Sequence, residues 1–328
     1  MKTPADSPAR VLDAFRAGSR FLITSHVSPD GDAVGSLLGI AHLLRALGKT
    51  DVTCALEDPV PGVYGFLNGA ASIVSPSQIV EPFDVAILID AHAGSRSGAV
   101  EPFLKRATRL IVIDHHLVDH ADGDLQYIDS TFAAAGEMVF ELFALAGVEL
   151  TPAAAECIYT AQVTDTGNYR YSNTNARSHR VAAGLLEAGV NVRDVTSRVI
   201  DTMTIGKYRL LQRILGRIHF LADGTVAHAD VLERDIAETG ALPEDTDGLI
   251  NYLRNIENVR LAMVFREASG GKTKVSFRTQ PELNAAEICR AFGGGGHAVA
   301  AGATIDEPLV RAKETVLKYL REHLGLDV

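Results

Sequence analysis

The run RFLITSHVSPDGDAVGS, residues 20–36, places three kinds of sequence end to end. An apolar strand-like segment, FLIT, stops at Ser25. His26, Asp30 and Asp32 follow within a stretch rich in Pro, Asp and Gly, and GSLLGIAHLLRALG then reads as a helix stopped by Gly48. Carboxylates this close repel one another unless positive charge lies between them. A solvated turn is one reading of the stretch; a metal site is the other.

Working outward, the same pattern recurs. FDVAILIDAH ends on Asp90, and TRLIVIDHH ends on Asp114, His115 and His116. Both are unbroken apolar runs of the kind found in strands buried on two faces. With DVTCALE as a further strand and helices expected over 132–147, 152–163 and 175–188, the first part of the chain reads as a parallel α/β sheet. In such a sheet ligands bind at the carboxyl ends of the strands. Successive strands thus deliver their acids and histidines to one edge, and Asp165, in VTDTG, arrives at the end of a helix. Scattered turn residues would not share one address, so the metal reading is favoured.

Asp30 and Asp32 are two residues apart, which in an extended loop points both side chains one way. Gly31 permits a tight path there. His115 and His116 would point to opposite faces of a continuing strand, leaving one as a ligand and the other for substrate unless the chain turns. Four aspartates with a minority of imidazoles suit manganese, magnesium or cobalt, and two divalent cations would neutralise them. Paired cations suit phosphoryl transfer. Gly35 and Ser36 would open a helix, either as a phosphate-binding N-terminus or as a plain cap.

Beyond about residue 190, VNVRDVTSRVIDTMTIGKYRLLQRILGRI has a long helical look and reads as a connection. A hairpin turning at Asp223-Gly224, helices near 231–240 and 246–256, strands RLAMVFRE and KTKVSFRT, and a closing helix over 308–324 make an α+β pattern. The expected division is 1–190, a connecting 191–215, and a smaller domain over 216–328, with the active site in the cleft between domains.

Charge narrows the partners. With 31 basic against 41 acidic residues the chain has a formal charge of −10, a poor match to long nucleic acid. A short anion is still accessible if cations supply the positive charge. No apolar run is long enough for a membrane span, and the first residues lack the apolar core of a signal peptide. Three scattered cysteines, Cys54, Cys157 and Cys289, read as core residues in a reducing compartment, so a cytoplasmic location is expected.

Taken in order, HVSPDGDAVGS, IDAH, IDHH and VTDTG resemble the four motifs of the DHH phosphoesterases, and FGGGGHAVAAG resembles the signature of the DHH-associated C-terminal domain. The resemblance covers roughly residues 15 to 325, and the two-domain layout is similar to that of the NrnA-type enzymes. It implies a manganese-dependent enzyme cleaving short oligonucleotides (nanoRNA, pApA) to 5′-mononucleotides and 3′-phosphoadenosine 5′-phosphate (pAp) to AMP and phosphate. The implied mechanism is in-line attack by a hydroxide bridging two cations. Some relatives cleave cyclic di-AMP, and a homodimer is compatible with the resemblance.

Residue by residue, it implies one cation on His26, Asp30 and Asp90, and another on Asp32, Asp90, His115 and Asp165, Asp90 bridging. His116 would meet the scissile phosphate, and Asp114 would orient the histidines. Gly294, Gly295 and Gly296 would bring backbone amides to a phosphate, with His297, Arg278 and Arg170 as further substrate contacts. An inorganic pyrophosphatase of family II would lack GGGGH. A RecJ-like exonuclease would be longer and more basic, and a non-catalytic nucleotide sensor would not need every acid and histidine intact.

Overall fold

The computed structural model describes residues 7–118 and 120–328. The chain divides into two compact units, the first ending at Thr202 and the second running Met203–Val328.

The first unit contains α1 (Pro8–Ala17), β1 (Arg20–Thr24), α2 (Gly31–Ala46), β2 (Asp51–Cys54), β3 (Val85–Ile89), α3 (Glu101–Arg106), β4 (Arg109–Asp114) and β5 (Leu125–Ile128). These are followed by α4 (Ala135–Ala146), α5 (Pro152–Asp165), α6 (Ala176–Glu187) and α7 (Val192–Thr196). Its five strands lie in the order β2-β1-β3-β4-β5, all parallel. Side chains alternate between two cores: Phe21, Ile23, Ile87 and Ile111 join one cluster, while Leu22, Ala86, Leu88 and Val112 join the other. That is why these strands read as continuous apolar runs.

From β1 the chain goes to β2 on one side, then crosses to β3 on the other. The resulting switch point opens a crevice at the carboxyl ends of β1 and β3. His26 follows β1 and Asp90 follows β3, so topology alone aims both at that crevice.

The second unit contains α8 (Ile205–Leu215), β6 (His219–Leu221), β7 (Val226–Val231), α9 (Glu233–Thr239), α10 (Leu249–Arg254), β8 (Leu261–Ala268) and β9 (Lys272–Thr279). It ends with α11 (Ala285–Arg290), β10 (Gly295–His297), β11 (Ala300–Ile305) and α12 (Leu309–Leu324). Its mixed sheet has the order β10-β11-β9-β8-β7-β6, with only β7 and β8 parallel among the pairs. Met263, Phe265 and Phe277 pack with α12 on one face, while Ala262 and Val264 pack with α8 and α10 on the other.

Two local expectations change. The connecting stretch is not one helix: α7 runs into a π-type turn at Ser197–Asp201, and α8 starts afresh with Thr204 as its cap, accepting from Lys207 N at 2.9 Å. Its threonines compete for backbone hydrogen bonds and break the helix. Helix α2 begins at Gly31, so Gly35 and Ser36 are buried in its interior and do not offer N-terminal amides to a phosphate. Cys54, Cys157 and Cys289 are buried and unpaired. Among the described residues no helix is long and apolar enough to cross a membrane.

Candidate metal centre

Asp30 is not in an extended loop. It is the N-cap of α2, and its Oδ1 accepts from the amides of Asp32 and Ala33, each at 3.0 Å. The cap turns the chain between the two aspartates, so they face different neighbours. Asp30 Oδ1 lies 3.9 Å from His26 Nε2, which is 3.4 Å from Asp90 Oδ2. Asp32, on the first turn of α2, has Oδ2 3.5 Å from His115 Nε2.

Asp32 is fully buried and anchored at the start of another helix. The first two amides of α4, Ala135 N and Gly136 N, donate to it at 2.7 and 3.0 Å, and Ser36 Oγ donates at 2.7 Å. A carboxylate at a helix N-terminus is favoured there by the unpaired amides and the helix dipole. Asp165 closes α5, with Oδ2 3.4 Å from His115 Nε2. His115 Nε2 is likewise 3.4 Å from Asp90 Oδ1.

The six residues proposed as ligands thus form two sets of three, His26–Asp30–Asp90 and Asp32–His115–Asp165, and a third group links them by joining Asp90 to His115 and His116. In each set the ligand atoms lie within 4.8 Å of one another. Asp90 belongs to the first and third, and its Oδ1 faces the His115 of the second.

β4 ends at Asp114, and the chain turns before the histidines. Their rings lie 4.5 Å apart and tilted by 51°, on one side of the strand end and not on opposite faces. Asp114 Oδ1 accepts from His116 Nδ1 at 2.7 Å, while its Oδ2 faces His92 Nδ1 at 3.5 Å. Asp114 therefore orients His116 and meets His92; among the described residues no hydrogen bond or ion pair joins its carboxylate to the His115 ring. His92 was not singled out in the sequence, although it stands in the IDAH motif. Glu137 and Gln162 were also missed. Fully buried, they are joined by a 2.9 Å hydrogen bond, and Gln162 Oε1 accepts from Tyr169 OH at 3.0 Å, behind the turn that follows Asp165.

Electrostatics show how crowded the acids are. Burial and the neighbouring Asp90 raise the Asp32 carboxyl well above the usual range. Burial likewise brings Asp165 up to about 7. Burial also opposes ionisation of Asp90, but the His115 and His26 imidazoles beside it hold it at about 2. Burial lowers His26, yet the Asp90 hydrogen bond and charge outweigh it and carry the imidazole to about 9. The set is not electrostatically satisfied by protein groups alone.

The other expected contacts lie elsewhere. Arg170 Nε donates to Gly167 O at 2.8 Å, inside the turn after Asp165. Arg278 is on β9 of the second unit and donates to Phe277 O at 3.0 Å. Gly294 and Gly296 pack so tightly on β11 that a methyl group on either would strike its backbone, whereas one on Gly295 would meet open space. Part of the glycine run is therefore required by strand packing. His297 is in β10, and its side chain lies outside the described residues.

The N-terminal domain of the DHH family matches residues 20–162, and the DHHA1 domain matches residues 223–325. A Thermus thermophilus protein named bifunctional oligoribonuclease and PAP phosphatase NrnA is 36% identical over 92% of this chain and 89% of its own length. The chain belongs to the DHH family. It is a phosphoesterase, as its motifs led us to expect. A Bacillus subtilis protein of the same name is 27% identical over 87% of this chain and 88% of its own. The DHH fold is shared by a solved Bacteroides fragilis structure described as an exopolyphosphatase-related protein, with a TM-score of 0.89, 25% identity and 97% of both chains covered.

Divalent cations, which the DHH family implies, fit this centre. Asp90 Oδ1, Asp114 Oδ2 and His115 Nε2 are buried without a hydrogen-bond partner. Two of these atoms belong to the ligand groups, and orphaned polar atoms of that kind are costly unless something charged meets them. Carboxylate oxygen with imidazole nitrogen is a donor set for manganese, magnesium or cobalt.

Proposed function

We propose that the chain hydrolyses phosphate esters of small nucleotides, cleaving short oligonucleotides such as pApA to 5′-mononucleotides and pAp to AMP and phosphate, with two manganese ions. The observation that carries this is Asp90: one buried carboxylate takes part in two ligand groups, and its Oδ1 has no hydrogen-bond partner. The relatives named oligoribonuclease and PAP phosphatase, matched along nearly the whole chain, support the substrate class.

When bound, the cations supply the positive charge that activates water and stabilises developing negative oxygen. The chain does the placing. His26 and Asp30 would hold one ion, Asp32, His115 and Asp165 the other, and Asp90 both. The amides of α4 and the Ser36 hydroxyl fix the Asp32 carboxylate, so it does not reorganise as charge develops. His116, its ring oriented by the Nδ1 hydrogen bond to Asp114, would meet a phosphoryl oxygen. Burial works against a charge on His116, but the Asp114 hydrogen bond and charge raise its pKa overall and favour a donor there. Arg278, His297 and the glycine run would recognise the rest of the nucleotide. The chain's formal charge of −10 opposes an anionic substrate, so the cations would supply the positive charge that admits a short one; the cytoplasm is the location this reading assigns.

The test is product analysis with purified protein and manganese on pAp, pApA, cyclic di-AMP, short RNAs, a long single strand and pyrophosphate, each with a chelator control. Chelator-sensitive release of AMP from pAp and pApA, fading with length, is the expected result. Cleavage of pyrophosphate or the long strand alone would overturn the substrate class.

A further inference from the structure

Helices α2, α4 and α5 approach more closely than ordinary side chains allow, and the residues at the closest points are glycine and alanine. A methyl group on Gly136 of α4 would lie 2.6 Å from Ala161 Cβ and 3.1 Å from the Ile158 carbonyl oxygen, both on α5. One on Gly35 of α2 would strike the Cys157 carbonyl oxygen and lie 3.0 Å from both N and Cβ of Ala161. Ala161 is therefore flanked by a glycine from each of two other helices.

This junction adjoins one ligand group. Gly136 itself donates its amide to Asp32 Oδ1, and Ser36, beside Gly35, donates to the same oxygen. Asp165 lies about one helical turn beyond Ala161 on α5. Within the same group, His115 Nε2 is buried without a hydrogen-bond partner, 3.5 Å from Asp32 and 3.4 Å from Asp165. The other group is supported differently. His26 and Asp90 follow strands, and only Asp30 borders α2.

We propose that Gly35, Ala161 and Gly136 form a spacer that sets the separation of Asp32 from Asp165, and so controls one cation position without the other. The inference rests on the two-cation reading above. These contacts are to backbone and to a Cβ, which cannot swing aside, so an added methyl must push the helices apart. Ligand distances in metal sites tolerate only about ±0.2 Å, so even a small separation weakens that position. These are positioning residues: none of their side chains meets a cation or substrate.

The test is calorimetric titration of the full chain with manganese, with circular dichroism to verify folding. Wild type is expected to bind two ions. Gly136→Ala should keep one and weaken the other by roughly tenfold or more, the size of effect seen when a ligand's support is lost. Adding Ala161→Gly to Gly136→Ala removes the 2.6 Å clash, leaving only the 3.1 Å approach to the Ile158 carbonyl oxygen, and should restore most of the second ion's affinity, a rescue that a general loss of stability would not give. Gly39→Ala is the control, because its methyl meets only the Val139 and Ile158 side chains, at 3.1 and 3.2 Å, and both ions should remain.

Fewer than two ions in wild type would refute the two-cation reading and the spacer with it. Two ions in wild type and two of unchanged affinity in Gly136→Ala would refute the spacer alone. Loss of both ions in folded Gly136→Ala would also refute it, since the junction would then support the whole centre. Should Gly136→Ala fail to fold, the double variant decides: two ions uphold the spacer, and one overturns it.

Discussion

Asp90 adopts φ 58°, in the left-handed region, immediately after β3. Aspartate and asparagine tolerate that conformation; other side chains pay roughly 1–2 kcal/mol for it. Asp90→Asn therefore removes the shared charge while keeping the backbone, and Asp90→Ala adds strain. Turnover of pAp should fall by at least about a hundredfold in both, the scale of losing one electrostatic stabiliser, while thermal melting should show Asp90→Ala as the less stable. Near-normal turnover in Asp90→Asn would remove the residue from the centre. A second residue-scale effect lies in the other unit. His228 is buried, its ring stacked on His219 and edge-on to Phe265, with Lys313 and Asp230 as the charged groups facing it. Burial, then the Lys313 charge, lowers its pKa to about 4 from an ordinary 6.5. The unfolded chain thus binds the proton more readily, so stability falls as pH drops from about 6.5 toward about 4. His228→Gln should lose that part of the acid sensitivity in melts at pH 7 and pH 5; an unchanged difference would assign it to other groups.

At the scale of the element, α2 combines a cap with a ligand in one residue. Asp30→Ala should cost about 1 kcal/mol of stability through the lost cap and weaken manganese binding. Asp30→Asn keeps the capping oxygen, so urea unfolding of the metal-free protein should stay near wild type while manganese binding still falls. Equal stability loss in both would mean that the cap contributes little. This element also marks where sequence reading stopped. The apolar runs, and the histidines and aspartates that follow them, were legible because a strand buried on both faces has no room for charge until it ends. The start of α2 was not, because Pro-Asp-Gly-Asp has the composition of a turn and the cap that converts it to helix depends on a side-chain hydrogen bond. The turn at His115 was hidden for the same kind of reason: nothing local to IDHH says where the strand stops. Gly35 could be seen, but the carbonyl it approaches on α5 is far away in sequence.

Across the whole molecule, every proposed ligand belongs to the first unit, which has its own cores, and the second unit has separate ones. Two domains and an α/β arrangement followed by an α+β pattern could be read from apolar periodicity alone. The order of the strands could not, because it depends on pairing between distant segments, and that order is what creates the crevice beside Asp90. Manganese at a hundred times its dissociation constant adds about 2.7 kcal/mol per ion, so about 5.4 kcal/mol for two, to a unit that binds it only when folded. The slowest-exchanging amides of residues 20–202 should therefore exchange about ten-thousandfold more slowly, with little change in 203–328. Equal slowing in both units would show that the second also takes up metal or unfolds with the first.

The most direct measurement is electron paramagnetic resonance of the protein loaded with two equivalents of manganese, compared with Asp90→Asn. If Asp90 joins the two positions, wild type gives an exchange-coupled pair that the substitution abolishes. Two independent manganese signals in wild type, unchanged in Asp90→Asn, would contradict a shared centre.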